Sequence, residues 1–129
     1  MRFIIAALFV VLACVHFPAI AQGNKVREAT PKEIALIKKA MQDQLRDPDS
    51  AKYSMVVVKT KSEGDGVYIT CGLVNSKNGY GGYAGNAWFM GVFVTLTNGN
   101  KEAMIISVDS SDPENGEVAA KMCAEKLEL

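Results

Sequence analysis

Histidine is nearly missing from this chain: one occurs in 129 residues, His16, and it lies inside an apolar N-terminal run. Met1-Arg2, the run Phe3 to Val15 and the small-residue end Pro18-Ala19-Ile20-Ala21 read as the three regions of an export signal, with cleavage expected after Ala21. The run is shorter than the roughly 20 apolar residues needed to span a bilayer, which argues against a retained anchor. A second reading cuts before Cys14, in Val11-Leu12-Ala13-Cys14, and leaves a lipid-anchored protein. Bulky Leu12 and the apolar residues behind Cys14 speak against it. Processing at Ala21 removes His16, so the mature chain of about 108 residues has no imidazole for acid–base chemistry or metal binding.

Charge of one sign is also lacking. With Arg2 gone, 13 Lys and Arg face 14 Asp and Glu, with no basic block, and nucleic acid is not an expected partner. Cysteine is scarce too. Cys71 and Cys123 are the pair left after processing, and in an exported protein such a pair is read as a disulfide. Closing that loop stabilises a fold by about 4 kcal/mol on chain entropy. Two separate thiols are the competing reading. Two thiolates without histidine would leave a zinc site half filled, and no cofactor is expected.

What is present organises into elements. Gln22 to Ala29 is polar and reads as a flexible lead-in. Thr30-Pro31-Lys32-Glu33 is a capping box with proline at the first helical position. Ile34, Ile37, Met41 and Leu45, with Leu36 and Ala40 beside them, extend one apolar stripe to Arg46-Asp47-Pro48, where proline stops the helix. Strands are predicted over Tyr53–Thr60, Val67–Val74, Ala87–Thr97 and from Glu102 or Ala103 to Val108, with Asn98-Gly99 as a hairpin turn. Trp88, Met90, Val92, Val94 and Leu96 take one face of the third strand, and Phe89, Phe93 and Thr95 the other. Ser110-Ser111-Asp112-Pro113-Glu114 predicts a second helix capped by Asp112, with Val118, Ala119, Met122, Cys123 and Leu127 on one face. The expected fold is α+β: an N-terminal helix, a four-stranded antiparallel meander and a C-terminal helix packed on the sheet, in one domain over 30–129. If that helix covers the face carrying Cys71, two independent periodicities bring the sulfurs together.

The unusual stretch is Val74 to Phe89, VNSKNGYGGYAGNAWF. Gly79-x-Gly81-x-x-Ala84 is a variant of the dinucleotide fingerprint, but that motif needs a helix after its glycines. Here Asn86 to Val94 is aromatic and β-branched. Two readings stay open: a wide hairpin connection built on glycine, or a recognition surface presenting Tyr80 and Tyr83 among Asn75, Lys77, Asn78, Asn86 and Trp88. The segments Leu45-Arg46-Asp47-Pro48-Asp49-Ser50-Ala51-Lys52-Tyr53, Cys71-Gly72-Leu73-Val74-Asn75-Ser76-Lys77-Asn78 and Gly81-Gly82-Tyr83-Ala84-Gly85 resemble a group of small exported proteobacterial proteins of unknown function. The resemblance spans roughly residues 45 to 90. It implies a Gram-negative periplasmic or secreted setting and brings no activity with it. Leu73 and Ala84 depart from the charged or hydroxylated residues often found there, which puts a shared ligand in doubt.

Catalysis is not expected. The closest carboxylate pairs, Asp47 with Asp49 and Asp109 with Asp112, flank helix ends beside proline, where capping and turn formation are their ordinary work. Ser76-Lys77 is adjacent in sequence and would point apart at a strand end. The reading is a non-catalytic periplasmic interaction module whose partner is another envelope or exported protein, an exported enzyme to be inhibited included. A structural envelope accessory is the alternative, and a hydrolase using carboxylates alone comes last.

Overall fold

A computed structural model describes residues 25–110 and 116–128. The leader, its cleavage site, Cys14 and Asp112 lie outside the described residues, but the C-terminal helix starts at Val118 with Glu117 at its cap position, so the expected start capped by Asp112 is corrected. The elements run β1 (Val26–Glu28), α1 (Pro31–Ala40), a 3-10 turn (Pro48–Ser50), β2 (Lys52–Lys59), β3 (Tyr68–Asn75), β4 (Ala87–Thr95), β5 (Lys101–Val108) and α2 (Val118–Leu127). The fold is α+β, as expected, with a correction in the sheet. It has five strands in the order β1-β2-β3-β4-β5, every neighbouring pair antiparallel. The added strand comes from the supposed flexible lead-in: Val26, Arg27 and Glu28 pair with Lys59, Val58 and Val57. Three residues of mixed polarity carry no readable period, and the open edge of β2 orders them.

Both faces of the sheet are covered. Phe89 and Phe93 point to one side, where they are buried with Val56, Val58 and Val74 beneath Ile37 of α1 and Met41 at its C-cap. Ile69, Cys71 and Met90 point to the other, beneath Ala119, Cys123 and Leu127 of α2. The alternation expected for β4 therefore holds for Trp88, Met90 and Val92 against Phe89 and Phe93, with a different helix over each face. Two ladder irregularities bend the sheet. Met55 lies in the bulge between Ser54 and Val57, at φ 50° and largely exposed, and a second shift in register falls between Met90 and Gly91 against β5.

Helix α1 is anchored through one carboxylate. Glu33 completes the capping box with Thr30 and is almost wholly buried. Arg27 of β1 grips it with two bonds of 2.8 Å, and Lys101 Nζ of β5 stands 3.1 Å from Oε1. The Arg27 bond, working against desolvation and aided by Thr30 and Lys101, holds the Glu33 carboxyl down to about 2. The helix ends at Ala40 rather than near Leu45, yet Leu45 N still donates to Met41 O at 3.3 Å. That bond keeps Leu45 turned towards the α1-side core after the helix stops.

Helix α2 is held by two long-range devices. Cys71 and Cys123 form a disulfide with Cα atoms 6.0 Å apart across a sequence separation of 52. Its first turn is capped by the residue that follows β5: Asp109 Oδ1 accepts from Ala119 N at 2.7 Å and Oδ2 from Ala120 N at 2.9 Å.

Two outcomes are expected. Neither Cys71 nor Cys123 alkylates in the folded protein without reductant, and the paired Cys71→Ser and Cys123→Ser variant loses about 3 kcal/mol in chemical denaturation. Glu33 has a folded pKa below its unfolded value, so its contribution is complete above pH of about 4.5 and fades as pH falls towards 2. With Arg27 and Lys101 partly in water, screening leaves on the order of 2 kcal/mol. Glu33→Gln should lose that amount at pH 7 and flatten the acid limb of stability against pH.

Candidate functional site

The connection from β3 to β4 is a small hairpin set on the end of a larger one. Lys77 and Tyr83 form an isolated antiparallel bridge. Asn78 N donates to Gly82 O at 2.8 Å, and Ala84 N donates to Ser76 O at 3.0 Å. Side-chain amides complete the loop: Asn78 Oδ1 accepts from Tyr80 N at 2.9 Å and Gly82 N at 3.3 Å, and Asn75 Oδ1 accepts from Gly85 N at 3.1 Å. Gly81 and Gly85 occupy φ of 83° and 104°, which residues with a Cβ rarely adopt. After the glycines comes β4, so the fingerprint-like spacing leads into a strand and not into a helix.

The loop rests on the turn that precedes β2. Asp47 Oδ1 accepts from Ser50 N at 3.2 Å, and Ser50 Oγ donates to Asp47 O at 2.8 Å. Ser50 Oγ in turn accepts from Lys77 N at 2.9 Å, and Ser50 O accepts from the Tyr83 hydroxyl at 3.2 Å. The turn Asp47–Ser50 and the loop strand pair at Lys77 and Tyr83 are thus docked on each other. Tyr83 also lies beneath two cations, with Lys52 Nζ 4.4 Å and Lys77 Nζ 5.8 Å from its ring centroid. Such contacts are worth about 0.5–1 kcal/mol at an exposed site. Tyr53, at the end of the same segment, packs edge-on against Phe89 and belongs to the core.

The predicted site residues therefore separate. Asn75 and Asn78 brace the loop, Tyr83 is pinned, and Asn86 is exposed. Tyr80 stands at the tip with 99% of its surface open. Trp88 is not part of the loop surface: it packs against the cluster under α2, because its place in β4 turns it to that face. Between the loop and the turn after α1 runs a cleft of about 820 Å³, lined by Gln44, Arg46, Lys77, Asn78, Tyr80 and Asp109 among others. Arg46, Ser50 and Lys52 were not singled out as site residues from sequence. They lie about thirty residues from the loop, and no periodicity joins the two segments.

Two of the paired carboxylates have structural work. Asp47 organises its turn and Asp109 caps α2, while Asp112 lies outside the described residues. Among the described residues, no cluster of three His, Cys, Asp or Glu could hold a metal, and no helix is long and apolar enough to cross a membrane. No family model, curated protein or solved structure matches the chain.

Asn78→Ala removes one acceptor from two loop amides at once. Hydrogen exchange at Tyr80 and Gly82 should accelerate at least about fivefold, a loss of about 1 kcal/mol of local stability, with the amides of β3 and β4 unaffected.

Proposed function

We propose that the protein is a non-catalytic interaction module of the Gram-negative envelope, exported by its N-terminal leader and engaging another protein through the loop 75–86. One observation carries this reading. Tyr80 is an aromatic side chain held almost wholly in water by a loop whose own amides are paired, so it contributes little to the fold and offers an apolar body with a polar tip to a partner. The Cys71–Cys123 disulfide supports an oxidising compartment, and the resemblance of the 45–90 segment supports the envelope setting.

The loop's internal bonding favours a second reading, a structural accessory in which the same stretch is only an ordered turn. Asn75, Asn78 and Tyr83 all serve that purpose. The two readings part at Tyr80. Affinity capture from envelope fractions with the mature oxidised protein should retain a partner that Tyr80→Ala loses, with the thermal midpoint moved by less than about 2 °C, since surface changes of this kind are small. A variant that captures as well as the parent would leave the structural reading in place.

A further inference from the structure

We infer that the cleft beside this loop takes an acidic polypeptide segment, with its carboxylates drawn to Arg46 and Lys77. The inference rests on the interaction reading above and names the chemistry of the partner. Two cations line the cleft, Arg46 and Lys77. The Arg46 side chain lies against the loop at Gly79, where no side chain displaces it: Nη1 is 3.4 Å from where a Cβ on Gly79 would stand.

Among the described residues, neither Arg46 nor Lys77 has a carboxylate partner within salt-bridge distance. The acid that lines the cleft, Asp109, keeps its negative charge but is oriented by the amides of Ala119 and Ala120, which take both its oxygens. Two cations against one oriented anion leave the lining net positive, and a negative ligand is steered to it. Shape favours a peptide over a lipid surface. The cations flank a concave space of about 820 Å³ that also presents Gln44 and Asn78, groups suited to a peptide backbone, while a bilayer needs a flat or convex face.

The test is an amide chemical-shift titration of the ¹⁵N-labelled mature, oxidised protein with acetylated, amidated tetraglutamate. Tetralysine and vesicles of phosphatidylglycerol in phosphatidylcholine serve as the comparison probes. Saturable shifts confined to residues 44–46 and 76–84, weakened at least tenfold by Arg46→Glu with Lys77→Glu and by high salt, are expected. Should the charge-reversed protein lose its dispersed spectrum, Arg46→Gln with Lys77→Gln replaces it, with an expected weakening of at least threefold. No saturation by tetraglutamate, equal response to tetralysine, insensitivity to the substitutions, or binding to vesicles without binding to the peptide each overturns the inference. The two levels fail separately. Capture that depends on Tyr80 but ignores the charge substitutions leaves the loop as a recognition surface and removes the acidic partner. Tetraglutamate binding with no Tyr80-dependent capture keeps the anion site and removes the protein-module reading.

Discussion

The constraint on which this structure depends is that β3 and β4 are apolar on both faces. A sheet whose central strands carry Phe89 and Phe93 on one side and Cys71 and Met90 on the other cannot leave either side in water. The two helices meet that need from opposite ends of the chain, and each is fastened by a different kind of bond. The first is fixed by electrostatics: one buried carboxylate satisfies a helix start, an arginine of β1 and a lysine of β5. The second is fixed covalently through β3 and by the Asp109 cap. Neither fastening involves the loop 75–86, which leaves that end of the sheet free to differ in sequence without loss of the core.

Local information in the sequence was read correctly where it was local in fact. The capping box at Thr30 and Glu33, the alternation along β4 and the hairpin at Asn98-Gly99 each depend on neighbours within a few residues. The Cys71–Cys123 pairing was legible because two periodicities agreed on one face. What escaped was long-range. Val26–Glu28 becomes a strand only because β2 has an edge to offer, and the amides at the start of α2 are served by Asp109, the residue that follows β5. Trp88 adjoins the loop in sequence, but strand alternation turns it to the face under α2.

The candidate site shows the same division. Tyr80 and Tyr83 stood out by residue type, but their environments differ completely: one ring is free, the other is bonded to Ser50 and covered by Lys52. The second wall of the cleft, with Arg46, comes from the turn after α1. Its role depends on the docking of Asp47–Ser50 against Lys77 and Tyr83, a contact that no spacing rule encodes.

The irregularities at the sheet's borders bear on how the protein coexists with its own copies. Strand β1 covers only the second half of β2, and the uncovered half is kinked at Met55 by a backbone turned to φ 50°. On the opposite margin β5 shifts register against β4 between Ile105 and Ser107, beside the exposed Met104 and Ile106. A straight run of free amides and carbonyls would template fibril growth, and each margin here is broken after a few residues. Greasy side chains can then remain at the perimeter of a crowded compartment without seeding polymers.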